Sequence, residues 1–339
     1  MKKYIVAVVG ASGAVGEEIF KILEEQRFPI ERLVPLASAR SAGQEVEFGG
    51  EKYEILETTE EVFAREGVEI AFFSAGGEVS ARYAPHAAAA GALVIDNTSH
   101  FRMQENVPLV VPQVNPEDIA KHQGIIANPN CSTIQMVQVL SPLHRRYTIK
   151  RVDVSTYQAV SGAGKKGMEE LVHQMQSFFA FGLDEAEVRA FPHRIALNLI
   201  PQIDKFMEND YTKEEMKMIQ ETNKIMHSDF AISATCVRVP VLRSHSEAIT
   251  ISFENEVSAD EAREVLSATK DIIVLDEPQS LSYPMPSLAT DTDETYVGRI
   301  RNDLYDKKIL HLWCVADQIR VGAATNAVRI AQEWIKIQK

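Results

Sequence analysis

A Gly-rich turn set between a short apolar strand and an amphipathic helix constrains this chain more than any other feature. Tyr4–Val9 (YIVAVV) reads as a buried strand, Gly10-Ala11-Ser12-Gly13-Ala14-Val15-Gly16 as the turn, and residues 13–26 as the helix. Val15, Ile19, Ile22 and Leu23 recur at the helical period and would face a sheet. Glycines in such a turn let the backbone approach a ligand, and free N–H groups at the helix N-terminus attract its negative charge. The spacing is G-x-x-G-x-x-G and not G-x-G-x-x-G. The strand before the turn and the helix after it therefore carry the reading of a pyrophosphate-binding loop.

The same alternation continues. Residues 33–37 read as a strand, 46–55 as a hairpin broken at Gly49-Gly50, and 68–73 as a strand followed by Ser74-Ala75-Gly76-Gly77 and an Ala-rich helix ending near Gly91. Residues 93–96 and 125–127 add two more strands. The fold class expected is α/β, with an N-terminal Rossmann-like dinucleotide-binding domain. From residue 131 the texture changes. A helix over 131–147 is followed by longer β-rich runs at 151–159, 231–239, 248–253 and 309–315. These alternate with helices at 167–181, 212–226 and 259–269, which predicts a mixed α+β domain. Residues 275–295, dense in Pro, Ser, Asp and Thr, read as a surface excursion. A last helix at 323–336 carries Ala327, Val328, Ala331, Trp334 and Ile335 and is expected to fold back onto the first domain. The 339 residues suit two domains, 1–130 with 323–339 and 131–322.

A formal net charge of −13 argues against a nucleic-acid partner, because a phosphate backbone repels such a surface. No apolar run approaches the roughly 18 residues of a membrane span, and the first residues pass directly into a strand. A cytoplasmic chain with no membrane partner is expected. Cys131, Cys236 and Cys314 are too few and too scattered for a disulfide framework, and with no C-x-x-C or H-E-x-x-H no metal site is expected.

After the second strand an NAD site usually has an acid that binds the ribose 2′-hydroxyl. Here Ala37-Ser38-Ala39-Arg40-Ser41 has none, and an arginine between serines suits a 2′-phosphate, which favours NADP; the other reading of Arg40 is a solvated loop side chain. Asn128-Pro129-Asn130-Cys131-Ser132-Thr133 places a thiol where a strand ends and a helix begins. Backbone N–H groups there stabilise a thiolate and later an oxyanion.

GASGAVG at Gly10, SARSAG at Ser38, FFSAGG at Phe72, IDNTSHFR ending at Arg102, NPNCSTIQ around Cys131, STYQAVSGAG from Ser155, EEMK from Glu214 and TCVRVPVLRSHSE from Thr235 cover nearly the whole chain. Together they resemble the aspartate-semialdehyde dehydrogenase family. The resemblance implies NADPH-dependent reduction of L-aspartyl 4-phosphate to L-aspartate 4-semialdehyde with release of phosphate, in the biosynthesis of lysine, methionine, threonine, isoleucine and diaminopimelate. It implies Cys131 as the nucleophile of a thioester mechanism, His245 as acid/base and Gln158 as the amide that orients the acyl carbonyl. A histidine's ordinary pKa near 6.5 suits that task. It further implies Arg238 on the substrate carboxylate, Glu214 on the amino group, Lys217 and Arg102 at phosphate, and Asn130 beside the nucleophile. Gly10, Ser12, Gly13, Ala14, Val15, Ser38, Arg40, Ser41, Ser74, Ser161, Gly162 and Gln318 would hold NADP. A homodimer, or a tetramer built from dimers, is the implied assembly. Without the family, Glu214 and Lys217 are an ordinary exposed helix pair, and Cys236 and Cys314 are packing residues within strands. An N-acetyl-glutamyl-phosphate reductase shares the plan but carries a G-C-Y-P-T type segment, which Asn130-Cys131-Ser132 does not match. A catalytically dead relative acting as a binding protein is disfavoured by Cys131, Gln158, Arg238 and His245 in one chain.

Overall fold

The computed structural model describes residues 2–338; Met1 and Lys339, the outer bounds of the first expected domain, lie outside the described residues. The chain divides into two compact units, Met1–Asn130 with Ala323–Lys339, and Cys131–Gly322.

The first unit runs β1 (Tyr4–Val9), α1 (Ala14–Glu25), β2 (Ile30–Ala37), a hairpin of β3 (Glu45–Phe48) and β4 (Glu51–Glu54), β5 (Leu56–Glu57), α2 (Val62–Glu66), β6 (Ile70–Phe73), α3 (Gly77–Ala89), β7 (Leu93–Asp96) and β8 (Ile125–Ala127). Its main sheet has the order β5-β2-β1-β6-β7-β8, and every pair is parallel. The order reverses beside β1. The loops after β1, β2 and β6 therefore lie on adjacent strands at one edge of the sheet, where doubly wound folds open a crevice. Ile19, Ile22 and Leu23 of α1 are buried, and Val15 packs at the margin of the same core. The C-terminal helix Thr325–Ile337 adds Ala327, Val328, Ala331 and Ile335 to it, with Trp334 against Tyr4 at 6.1 Å between ring centroids.

The second unit comprises α4 (Cys131–Tyr147), β9 (Ile149–Gln158), α5 (Lys165–Phe179), α6 (Lys213–Met226), β10 (Ala231–Arg238), β11 (His245–Phe253), α7 (Ala259–Ser267), β12 (Ile272–Val274), α8 (Pro286–Ala289), β13 (Thr295–Asn302) and β14 (Ile309–Ala316). They build a mixed sheet of order β10-β9-β11-β14-β13-β12, parallel at β10/β9 and β13/β12 and antiparallel elsewhere. Alternate residues such as Val152, Val154, Ile249, Ile251 and Leu312 pack under Met136, Val139 and Leu140 of α4, Met218 of α6 and Leu266 of α7. Arg151, Asp153, Tyr157, Thr250, His311 and Trp313 occupy the opposite, less covered face. Among the described residues no helix is long and apolar enough to cross a membrane.

Two expectations change. β11 starts at His245, three residues earlier than its apolar run suggests, so His245 belongs to a strand. The 275–295 segment is not simply a surface excursion: Ala289 and Thr295 are fully buried, and β13 begins at its end. Most of its residues remain exposed or half-buried, while Thr290, the Asp291 N–H and Asp293 bond to Ser244, Asp317 and Arg320, a distinction that composition does not carry.

Candidate active site

Cys131 is the first residue of α4, a 17-residue helix, and is half-buried, preceded by buried Asn130. A helix start leaves backbone N–H groups unpaired within the helix, so negative charge on the thiol sulfur is favoured there. The backbone of Gly322 closes over this thiol: a Cβ added to Gly322 would lie 2.7 Å from Cys131 Cβ and 3.0 Å from its Cα. No side chain other than hydrogen fits.

His245 is fully buried. Its Nδ1 accepts the Ala159 N–H at 3.1 Å, while Nε2 is buried without a partner. An Nδ1 that accepts places the ring proton on Nε2. The Ala159 carbonyl in turn accepts from Arg238 Nη1 at 2.6 Å, so one peptide unit aligns both side chains. Burial, reinforced by the nearby Arg238 charge and opposed by Glu214, pushes the imidazole down to about 3. The expectation of an ordinary histidine pKa is corrected accordingly: His245 is neutral at physiological pH, with a donor at Nε2. Two residues on, Glu247 is fully buried, and burial, opposed by Gln135 beside it, raises its carboxyl well above the usual carboxylate range.

Gln158 ends β9 and Arg238 ends β10, at paired positions of parallel strands. Both are buried. Gln158 Oε1 accepts from Thr156 Oγ1 at 3.0 Å and its Nε2 donates to Glu214 Oε1 at 3.1 Å. Glu214 sits in the first turn of α6, which a capping box between Thr212 and Glu215 starts. Lys217 Nζ reaches Glu214 Oε2 at 3.0 Å and Asp204 Oδ2 at 3.1 Å. Burial alone would lower the lysine's pKa, yet the two carboxylates more than offset this and raise it. With Glu214 buried, the pair is not the exposed couple its spacing alone allows. Arg238 stacks over Phe191, 5.8 Å from the ring centroid, and feels the charges of Glu214 and Cys131.

Ser161 and Gly162 lie in the turn after β9. A Cβ on Gly162 would come within 2.8 Å of Arg238 Nη1 and 3.3 Å of His245 Nε2. Gln318 accepts from the Ser244 N–H at 2.7 Å and donates to Ser161 Oγ, so its amide clamps two loops together. The second unit thus brings Cys131, Gln158, Ser161, Gly162, Glu214, Lys217, Arg238, His245 and Gln318 into one connected region. Cys236 and Cys314 are fully buried in strands, and burial raises both thiols.

In the first unit, the N–H groups of Gly10 and Ala11 donate to Leu36 O at 2.8 and 3.1 Å, tying the glycine turn to β2. No side chain caps α1, which leaves its first N–H groups for a ligand. A Cβ at Gly16 would lie 2.2 Å from the Gly10 carbonyl oxygen, so the helix can follow the turn this closely only with glycine. Ser12 Oγ lies 3.4 Å from Ser41 Oγ, Ser38 and Arg40 are exposed just after β2, and Ser74 follows β6. Gly13, Ala14 and Val15 form the turn's exit and the first turn of α1. These residues fit a dinucleotide. Arg102 is buried elsewhere in the unit, donating from Nε to Asn128 O at 2.9 Å and from Nη2 to Asn97 O at 2.8 Å.

Residues 5–122 match the family model described as semialdehyde dehydrogenase, NAD binding domain, and residues 140–321 match semialdehyde dehydrogenase, dimerisation domain. The aspartate-semialdehyde dehydrogenase of Campylobacter jejuni is 65% identical over 339 residues, 99% of each chain. The chain belongs to the aspartate-semialdehyde dehydrogenase family. A relative of the same name from Aquifex aeolicus is 52% identical over 98% of each chain. Among solved structures, aspartate semialdehyde dehydrogenase II of Vibrio cholerae complexed with ASA superposes with a TM-score of 0.95 at 45% identity over 99% of each chain. The Candida albicans aspartate semialdehyde dehydrogenase with NADP gives 0.74 at 25% identity over 98% of each chain.

In this aspartate-semialdehyde dehydrogenase family member several groups at the site escape a sequence reading. Asp317 is fully buried; its carboxylate accepts the N–H groups of Asp291 at 2.8 Å and Ile319 at 2.9 Å, and ion-pairs with Arg243 at 2.8 Å. Arg320 forms a two-pronged pair with Asp293 at 3.0 and 3.1 Å, and Ser244 Oγ bonds Thr290 Oγ1 at 2.8 Å. The supposed excursion therefore braces the segments that carry His245 and Gly322. Only Gly322, beside the motif-bearing Gln318, left a trace: a glycine just ahead of a helix.

Proposed function

We propose that the protein is an NADP-dependent aspartate-semialdehyde dehydrogenase, catalysing the reductive dephosphorylation of L-aspartyl 4-phosphate to L-aspartate 4-semialdehyde and phosphate. It would act in the cytoplasm in the biosynthesis of diaminopimelate, lysine, methionine, threonine and isoleucine. The observation that carries this reading is the gathering of a helix-starting thiol, a buried imidazole, a buried amide and a buried arginine in one unit. Cys131 Sγ attacks the acyl phosphate carbon, the C–O bond to phosphate breaks, and a thioester forms. The α4 N–H groups and the Gln158 amide stabilise the oxyanion. His245 takes the acid/base role through Nε2, whose N–H donates a hydrogen bond to the reacting oxygen while the ring is neutral.

Arg238 grips the substrate carboxylate with a planar fork, Glu214 takes the ammonium, and Lys217 and Arg102 take the phosphate. Asn130 lines the approach to the thiol. NADPH, when bound by Gly10, Ser12, Gly13, Ala14, Val15, Ser38, Arg40, Ser41 and Ser74 with Ser161, Gly162 and Gln318, supplies the hydride. Residues 1–130 and 323–339 serve as the NADP-binding domain. Residues 131–322 serve as the catalytic and dimerisation domain of a homodimer, and a mass measurement reads whether dimers pair into tetramers.

The test is a phosphate-dependent assay of aspartate semialdehyde with NADP and NAD side by side. Phosphate-dependent turnover with preference for NADP is expected. Turnover of N-acetyl-glutamyl semialdehyde instead would replace this reading with that of the reductase.

A further inference from the structure

Gln158 is a buried side chain at the site whose chemistry depends on which way round its amide lies, because one end donates and the other accepts. Two neighbours decide this. Glu214, paired with Lys217 at 3.0 Å, presents carboxylate oxygens that only accept, so the group 3.1 Å from its Oε1 must be the NH2 end. At the other end the fully buried Thr156 hydroxyl donates to Oε1 at 3.0 Å. Turned over, the amide would set oxygen against carboxylate at about the same distance, a repulsive contact in a buried place. In the observed orientation one Nε2 hydrogen is taken by Glu214. The other is the one that the reading of Gln158 as the acyl-orienting amide assigns to the substrate oxygen.

We propose that Glu214 is a positioning residue for Gln158, with Thr156 as the second hold, so that the carboxylate which reads the substrate's ammonium also aims the amide at the acyl oxygen. This rests on the reading of Gln158 as the acyl-orienting amide. Its consequence is that recognition of the amino group and alignment of the reacting carbonyl share one side chain. Loss of Glu214 therefore slows chemistry even for a substrate that has no amino group.

The experiment uses the whole enzyme with succinate semialdehyde, which lacks the amino group, and aspartate semialdehyde, each at saturation with phosphate and NADP. Glu214→Gln should lower kcat for succinate semialdehyde about 5- to 10-fold in the wild-type background and leave it unchanged in a Gln158→Leu background, the non-additivity of residues acting as a unit. Thr156→Val should lower kcat for aspartate semialdehyde with KM within about twofold, and Thr156→Ser, which keeps the hydroxyl, should restore it. Should Glu214→Gln not fold, the Thr156 pair, with the same Gln158→Leu background, carries the test. Unchanged kcat for succinate semialdehyde in Glu214→Gln, or an equal loss in the Gln158→Leu background, would overturn the positioning role. Gln158→Leu with wild-type kcat would instead overturn the reading of Gln158 beneath it.

Discussion

Replacing Gly322 by alanine tests whether the position of the thiol is set by the segment above it. The added Cβ would stand 2.7 Å from Cys131 Cβ, about 0.7 Å short of the 3.4 Å at which such contacts become ordinary. It would also stand 3.0 Å from Cys131 Cα and 3.3 Å from its carbonyl oxygen, so a rotamer change cannot relieve the clash. Backbone must move, and the backbone in question begins the α4 helix. Misplacing a reacting atom by about 1 Å costs on the order of 10²-fold in rate, so a shift of this size should lower kcat by roughly 10- to 100-fold. Overpacking should cost a further ~1–3 kcal/mol of stability. KM for aspartate semialdehyde should change little, since Arg238 and Glu214 lie on other elements. The assay is pre-steady-state acylation together with the alkylation rate of Cys131 by iodoacetamide. Gly182→Ala serves as control, since its nearest neighbour would be 3.9 Å away. Wild-type acylation and alkylation rates in Gly322→Ala would refute the reasoning.

Cys131→Ser should lose turnover by roughly 10³-fold or more with fold and cofactor binding intact, because an alcohol offers no accessible anion at this pH; near wild-type activity would remove the thioester route. Arg40→Ala should weaken NADP binding by about 1.5–3 kcal/mol and NAD hardly at all, read by titration calorimetry, and equal losses would make the arginine structural. His245 has a folded pKa of about 3, below its value when unfolded. The unfolded chain therefore takes up a proton below pH ~6.5 that the native state refuses, and this group removes up to ~1.4 kcal/mol of stability per pH unit as pH falls towards 3. His245→Gln should show a correspondingly flatter decline in urea midpoint between pH 7 and 5. Finally, the enzyme should discriminate strongly against N-acetyl-glutamyl semialdehyde in kcat/KM, since the acetylated nitrogen offers Glu214 no positive charge and forfeits a charge-assisted hydrogen bond of about 1.5–3 kcal/mol. Arg238→Lys should fail on aspartate semialdehyde because an ammonium lacks the two-pronged contact, and comparable efficiency on both substrates would sink the pairing.

Local interactions explain what the sequence determined by itself. The strand, glycine turn and helix of residues 4–25 follow from steric freedom and hydrophobic period within some twenty residues, and the turn's chemistry follows from the helix N-terminus that it opens. Cys131 at the head of α4 is equally local, since the strand ending at Ala127 and the helix from 131 bracket it. Motifs named Gln158, Glu214, Lys217, Arg238 and His245, but not how they bond. Tertiary structure alone decided that His245 is wholly buried with its proton on Nε2, because the group that fixes the tautomer, the Ala159 amide, is 86 residues away in sequence. It alone tied the polar 275–295 stretch down at its end, because the partners of Thr290, Asp291 and Asp293 are Ser244, Asp317 and Arg320. A serine or aspartate in a sequence looks the same whether water or a distant buried group completes its hydrogen bonds, and only the fold supplies that second group.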